Sequence, residues 1–257
     1  MVKVLRKRMA KLGGKKVHKK LQPHFKDQGL HCSRNKLFDI MRDAGMLVKK
    51  RKRYVKTTQS YHRFYKYANI IKDAKIERSE QVWVSDITYI KTKEKSLYLS
   101  LVTDAYSKQI MGWELSDNLK TESSIKALKM AIRNRRYPNR SLIHHSDRGF
   151  QYCNPEYVKV LDKNGIDISM TTRHDPYENA VAERVNGILK DEFGIENFIT
   201  QKQANREIKT AIGTYNYERP HLSCGYLTPW DAHRIEGYKL KTWSRKFTER
   251  DMSLSVN

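Results

Sequence analysis

Cysteine is scarce in this chain. The three cysteines, Cys32, Cys153 and Cys224, are widely separated, and no C-x-x-C pair occurs. This spacing argues against a disulfide framework and against a cysteine zinc site. We therefore expect a protein of a reducing compartment, the cytoplasm.

Long apolar runs are also missing. No stretch approaches the roughly 20 apolar residues that a membrane span requires. Residues 1–20 are basic but lack the apolar segment of a secretory signal. We expect no membrane partner, although an apolar content of 39% over 257 residues is enough for a packed core.

Acidic residues are too few to balance the basic ones. The chain has 51 Lys and Arg against 28 Asp and Glu, a net charge of +23. The first 60 residues alone hold 19 basic and three acidic residues. This favours a nucleic acid partner over an anionic membrane surface. A solvated tail is the alternative for the densest basic run, which consists of Lys49, Lys50, Arg51, Lys52 and Arg53.

Residues 1–60 predict two helices joined by a short turn. Apolar residues recur every four positions from Val17 to Phe25, and Gly29 can end that helix. Ser33 is a suitable N-cap for a second helix, which Gly45 can end. In a helix-turn-helix the first turn of the second helix enters the major groove. A plain helical hairpin is the alternative; the candidate base-reading residues are Arg34, Asn35 and Lys36.

The rest of the chain alternates between strand and helix patterns after a linker with some helical content. Helices are predicted to start at Thr121, at Asn154–Pro155 and at Asp175–Pro176, the last running to about Phe193. The resulting order, β-β-β-α-β-α-β-α, is typical of a layered α/β domain with a mixed sheet. The predicted strands are 82–90, 97–102, 110–115, 141–145 and 166–170.

Three acids stand where a site could form. Asp86 lies mid-strand among apolar residues, where an unpaired carboxylate is costly, unless it faces solvent at a sheet edge. Asp147 follows a strand, a common site position as well as a common turn position. Glu183 shares one helix face with Asn179, Asn186 and Lys190, opposite an apolar stripe; that face could also simply meet water.

Four sequence blocks resemble one family. Three of them resemble the D, D and E blocks of DDE transposases, which share the retroviral-integrase catalytic core: WVSDITYI, HHSDRGFQY and ENAVAERVNGILKDE. As in that group, 35 residues separate Asp147 from Glu183. YNYERPHLSCGYLTPWDAH is similar to the block that ends many bacterial insertion-sequence transposases encoded by a second reading frame. The N-terminal GGKKVHKKL resembles their helix-turn-helix, so the likeness spans roughly residues 10–235.

The resemblance implies a fold and a domain order. We expect a ribonuclease H-like α/β core, a mixed five-stranded sheet with helices, at 79–236. A small all-α helix-turn-helix module at 1–60 and a linker at 61–78 would precede it, and a polar tail at 237–257 would follow. The chain lacks the His/Cys zinc cluster of retroviral integrases, which favours the bacterial branch.

The resemblance also implies a chemistry: metal-dependent cleavage and strand transfer at the ends of an insertion sequence. Asp86 would be the shared ligand of two Mg²⁺ ions, with Mn²⁺ as a substitute, and Asp147 and Glu183 would each hold one ion. Lys190 would contact the transposon end, with Asn179 and Arg148 as further DNA contacts. The implied partners are double-stranded terminal inverted repeats and target DNA, a second copy of the chain on DNA, and an upstream-frame product, all at the bacterial nucleoid.

Neighbouring residues invite competing interpretations. Asp104 also ends a strand, and we interpret it as closing a turn. His144 and His145 alternate faces on one strand, so we expect them to be structural. Two alternatives stay open for the whole protein: a nuclease on the same fold, and a non-catalytic DNA-binding regulator.

Overall fold

The computed structural model describes residues 1–48, 62–72, 74–172 and 179–235. Three helices come first: α1 (Val2–Arg8), α2 (Gly14–Asp27) and α3 (Arg34–Asp43). The sheet follows with β1 (Val82–Lys91), β2 (Ser96–Asp104), β3 (Ile110–Ser116), β4 (Leu142–Ser146) and β5 (Ile166–Met170). The later helices are α4 (Thr121–Arg133), α5 (Phe150–Cys153), α6 (Pro155–Lys163), α7 (Ala180–Phe193), α8 (Gln201–Tyr217) and α9 (Pro229–Arg234).

The three N-terminal helices enclose a small core of their own. The second predicted helix is confirmed, because the hydroxyl of Ser33 accepts a hydrogen bond from the Lys36 amide at 3.2 Å. Gly29 and Gly45 both adopt a φ of 63°, which lets the chain turn after each helix. Helix α1 was not predicted. The side chains of this core are Met9, Leu12, Val17, Leu21, Leu37 and Met41.

The mixed five-stranded sheet is confirmed, and its order is β3-β2-β1-β4-β5. Strands β1, β2 and β3 form an antiparallel meander, whereas β4 and β5 run parallel to β1 and are reached through helical crossovers. The parallel pairing matters for function because it brings the carboxyl end of β4 beside the middle of β1.

Strand β1 separates two cores by the alternation of its side chains. Trp83 packs with helices α4, α5 and α6 on one face. Val82 and Val84 contact Ala182 of α7 on the other face. Since side chains alternate along a strand, Asp86 belongs to the face that α7 covers.

Helix α4 lies unusually close to β3. A methyl group built on Gly112 would stand 2.6 Å from the backbone nitrogen of Ala131 and nearer still to the carbonyl oxygen of Ala127. Glycine is therefore required here by close backbone approach, not by backbone conformation.

The described part of the linker, residues 62–72, covers the outer edge of the sheet. The Met170 amide of β5 donates to the carbonyl oxygen of Ala68 at 3.2 Å, and the Ile70 amide donates to the Ser169 hydroxyl at 3.1 Å. These bonds protect an edge strand from pairing with another chain. The helical content expected in this segment is wrong for 62–72 and 74–78, which are irregular.

A buried network of charges joins helix α9 to the sheet. Glu80 is fully buried and accepts hydrogen bonds from Arg135 at 3.1 Å and from the Arg136 amide at 2.6 Å. His233 of α9 lies 3.2 Å from Glu80 and 3.8 Å from Asp104. Asp104 accepts from the Ser107 amide at 2.7 Å, which confirms its role in closing a turn.

Protonation of His233 holds this network together. Burial alone lowers the pKa of His233, but hydrogen bonds to Asp104 and Glu80, together with their charges, outweigh burial and raise this pKa to about 9. Burial has the opposite effect on the two acids, yet the hydrogen bond from His233 and further donors hold the pKa of each below its usual value.

Several expectations fall outside the described residues. They are the basic run Lys49, Lys50, Arg51, Lys52 and Arg53, the helix start at Asp175–Pro176, and the tail at 237–257. The domain boundaries stay predictions. Within the ranges that the structure covers, no helix is both long and apolar enough to cross a membrane.

We expect Gly112→Ala to lower the free energy of unfolding by about 2–3 kcal/mol, because α4 must move away from β3. Gly213→Ala is a matched control: Gly213 lies in α8, and an added methyl group meets nothing within 4 Å. This control should gain up to about 1 kcal/mol from helix propensity. Urea unfolding measures both, and equal effects would contradict the close approach.

His233→Gln should weaken the pH dependence of stability. The folded-state pKa of His233, about 9, exceeds the unfolded value of about 6.5, so its contribution is complete below about pH 6.5 and is lost as pH rises through about 9. The variant should lose on the order of 2 kcal/mol near pH 6 and much less near pH 9.5. Urea unfolding of both proteins at each pH gives the difference between their free energies of unfolding. A difference that does not change with pH would contradict the protonated state of His233.

Candidate active site

Asp86 lies in the middle of β1, directly beneath α7. Its carboxylate oxygen Oδ2 accepts a hydrogen bond from the Asn186 amide at 2.6 Å. One helical turn before Glu183, the amide of Asn179 donates to the Ser85 carbonyl oxygen at 3.2 Å. Two asparagine side chains thus fasten α7 to β1 on either side of Glu183.

The apolar stripe of α7 sets the direction of its acid. Val185, Ile188 and Leu189 are buried, as the helical periodicity predicts. Glu183 is exposed in the first turn of the helix. Gly194 ends the helix in the left-handed conformation, with a φ of 70°.

Asp147 follows the last residue of β4, beside β1. Its Oδ1 accepts the Gly149 amide at 3.0 Å, so it also shapes the turn into α5. Arg148 is half-buried, and its Nε has no hydrogen-bond partner among the described residues.

The three acids influence one another electrostatically. Burial raises the pKa of Asp86 to about 7, and the charge of Asp147 and, more weakly, that of Glu183 add to the rise. Hydrogen bonds from the Ile87 amide and from Asn186 oppose it without cancelling it. The site therefore has an excess of negative charge that a cation would relieve.

The three carboxylates do not form a ready-made metal cage. Within the part of the chain that the structure describes, no three His, Cys, Asp or Glu side chains are grouped closely enough to hold one ion. Like charges repel, so carboxylates draw together round a cation only when its charge outweighs their repulsion.

A layer of neutral groups lies behind Asp86. His144 is hydrogen-bonded to the Ser85 hydroxyl at 2.7 Å and to the Tyr157 hydroxyl at 2.9 Å. Burial lowers the pKa of His144 to about 3, so this ring is neutral. His145 contacts the Ser169 hydroxyl at 2.9 Å on the other face. Both histidines are structural, as expected.

The helical periodicity placed Asn186 on the polar face with Glu183, but its role as the partner of Asp86 was not predicted. It stands three positions after Glu183, and its side chain is buried. Tyr152 was missed as well: it is buried behind the acids, and its hydroxyl has no partner among the described residues. No local pattern in the sequence indicates its position.

The remaining predicted contacts lie on two surfaces. Lys190 is half-buried on α7, two turns after Glu183, and Asn179 is buried against β1. Arg34, Asn35 and Lys36 are exposed at the first turn of α3. Their DNA contacts stay predictions.

The N-terminal helices dock on the end of α7. Glu192 accepts from Lys16 of α2 at 2.6 Å and from Arg219, which follows α8, at 2.8 and 2.9 Å. The Lys11 amide donates to the Glu192 carbonyl oxygen at 3.0 Å. This arrangement leaves the first turn of α3 open to solvent.

Two family models match the chain, and both are described as an integrase core domain. One covers residues 76–176 and the other 164–229. Together they span the sheet, the three acids and α8.

The chain is similar to known proteins over most of its length. It is 32% identical to an uncharacterized 31 kDa protein of insertion element IS600 from Shigella sonnei, over 82% of this chain and 78% of that one. It is 30% identical to the transposase InsF of insertion sequence IS3A from Escherichia coli K12, over 82% and 74% respectively.

A solved structure shares the fold. The match is to the simian T-cell lymphotropic virus intasome in complex with a PP2A regulatory subunit, with a TM-score of 0.54 and 17% identity over 84% of this chain and 72% of that chain. The insertion-sequence relatives and the integrase core models show that the protein belongs to the bacterial insertion-sequence transposases built on an integrase core domain, and its fold agrees with this.

Proposed function

We propose that the protein cleaves and joins DNA at the ends of an insertion sequence through Asp86, Asp147 and Glu183. Membership of the family makes it a DNA transposase, a polynucleotidyl transferase. The observation that supports these three residues is the pKa of Asp86, raised by burial and then by the charges of the other two acids.

The side chains suit a hard divalent cation. The three acids offer only oxygen atoms, which Mg²⁺ prefers, and Mg²⁺ keeps several water ligands, so few protein ligands are needed. We assign Asp86 to both of two ions, and Asp147 and Glu183 to one each. When bound, the ions would supply the charge that activates an attacking oxygen and stabilises a leaving one.

The chain's own residues orient the reacting groups. The side-chain amide of Asn186 donates to Oδ2 of Asp86 and so fixes the orientation of this carboxylate. Arg148 and Lys190 flank the acids and would hold phosphates of the DNA end. Because strand transfer proceeds by direct displacement at phosphorus, no protein nucleophile is required.

DNA recognition is assigned to the basic N-terminal helices. Arg34, Asn35 and Lys36 would read base edges of the terminal repeats, while Lys49, Lys50, Arg51, Lys52 and Arg53 would bind phosphates. We further propose that copies of the chain assemble on paired DNA ends, with or without an upstream-frame product. Such a substrate places the protein at the nucleoid in the cytoplasm.

The alternative to separate from this proposal is a regulator that binds DNA without cutting it. Among the described residues no group of three potential metal ligands is assembled. The catalytic proposal requires the acids to close round the metal when it binds.

Cleavage of the element's own ends tests the catalytic proposal. Asp86→Asn and Glu183→Gln should each slow Mg²⁺-dependent cleavage and joining by roughly 100-fold or more, the scale of losing one charge-stabilising group. Asn186→Ala should cost about 10-fold to 100-fold by misorienting Asp86. Asp167→Asn, at an exposed position on β5, is the control. Products of cutting and joining are separated on denaturing gels. Unchanged rates in both acid variants would remove these acids from catalysis, and a wild type that binds the ends without cutting them would leave the regulator.

Thermal unfolding tests the charge excess separately. The folded pKa of Asp86, about 7, exceeds the unfolded value of about 3.9, so ionised Asp86 destabilises the fold, fully so above about pH 7. Without metal, Asp86→Asn should therefore raise the Tm by a few degrees near pH 8 and by less near pH 5.

Mg²⁺ should reverse which of the two proteins, the wild type or Asp86→Asn, has the higher Tm near pH 8. Mg²⁺ should raise the Tm of the wild type near pH 8 and leave that of Asp86→Asn nearly unchanged. Asp167→Asn should follow the wild type throughout. A variant that responds to Mg²⁺ as the wild type does would remove Asp86 from the metal site.

A further inference from the structure

A short segment beside the active site alternates aromatic and basic residues. Residues 62–67 read His-Arg-Phe-Tyr-Lys-Tyr, and sequence analysis assigned them only to a linker. Tyr65 is 74% exposed, and Arg63 and Lys66 are exposed as well. Exposed aromatic rings that lie next to one another, unlike single ones, mark surfaces that bind a partner.

This aromatic-basic segment is attached to the loop that carries Asp147. His62 Nε2 donates to the carbonyl oxygen of Arg148 at 2.8 Å. The ring of Phe64 lies 5.0 Å from that of Phe150, which is three residues after Asp147 and 42% exposed. The aromatic-basic segment and the exposed ring of Phe150 are therefore in contact beside the loop that carries Asp147.

The surface continues away from the acids as a shallow groove. The Tyr65 and Tyr67 rings meet edge to face at 5.0 Å. They line a cavity of about 230 Å³ with Phe64, Lys159 and Asp162 among its walls. Lys159 lies in the wall of this groove, and Arg63 and Lys66 are exposed on the segment that forms it.

The geometry points to a binding site for unpaired nucleotides, formed by Phe150 and residues 62–67. Every base has a flat face that can stack on an aromatic ring, and the interleaved cations neutralise the phosphates. Bases within a duplex are already stacked on one another, so their faces are not available to these rings. The occupant is a single strand of DNA that leaves the reaction centre past Phe150 and reaches Tyr65.

This inference rests on the proposed function, from which it takes DNA as the substrate. The site itself is formed by residues other than the three acids. Stacking of a base on one ring contributes about 5-fold to 100-fold in affinity. Since these rings lie outside the acid cluster, the site should bind DNA without any metal.

Binding in EDTA tests the site apart from cleavage. The probes are a duplex terminal repeat and the same duplex with a single-stranded extension that contains 2-aminopurine, whose fluorescence falls when it stacks. Tyr65→Leu and Phe150→Leu should each weaken binding of the extended DNA by about 5-fold to 100-fold and abolish the fluorescence decrease. Affinity for the plain duplex should stay within about 2-fold, since its bases are unavailable for stacking.

Two further variants separate stacking from folding. Phe150→Trp keeps a flat ring and should retain the fluorescence decrease. Tyr98→Leu removes a ring from a similar pair, since Tyr89 and Tyr98 also lie 5.0 Å apart edge to face, and it should bind both probes as the wild type does. Equal losses for both probes, or none for the extended DNA, would overturn the site while leaving the cleavage experiment with Asp86→Asn unaffected.

Discussion

Fastening α7 across β1 is the interaction on which the site depends. Asp86 occupies a strand position that α7 covers, and burying a carboxylate there is unfavourable unless donors reach it. Asn186 supplies one donor, and Asn179 anchors the start of the same helix on Ser85. Because the opposite stripe of α7 is apolar and buried, the helix cannot rotate to relieve the acid. Glu183 is held at the rim of the site as a result.

The buried acids of the protein lie in two different electrostatic environments. Glu80 and Asp104 are satisfied by Arg135, His233 and backbone amides, which hold their pKa values below the usual range. Asp86 receives too few donors, and burial together with its acidic neighbours raises its pKa. The first arrangement fastens α9 to the sheet. The second leaves negative charge for something outside the chain to neutralise, which distinguishes a structural acid from one available for chemistry.

Local sequence patterns predicted the framework well, for physical reasons. The five strands are short and β-branched between clear turns, and the cap at Ser33 and the stripe from Val185 to Leu189 depend only on neighbours along the chain. The acids were located by their blocks and spacing. Helix α1 and the path of residues 62–72 depend on contacts across the fold and were not predicted correctly. The partner of Asp86 was missed because the choice among the polar residues of α7 depends on how the helix lies on the sheet.

The ion pairs of Glu192 have a mechanical consequence. Glu192 lies nine residues after Glu183 on the same rigid helix, about 14 Å along its axis at 1.5 Å per residue. Lys16 of α2 pairs with it, so the N-terminal helices cannot swing relative to α7 without pulling apart a poorly solvated charge pair, while Arg219 holds the same acid from the side of α8. Because α7 is one continuous helix, a torque that acts on the N-terminal helices at one end is transmitted to Glu183 at the other.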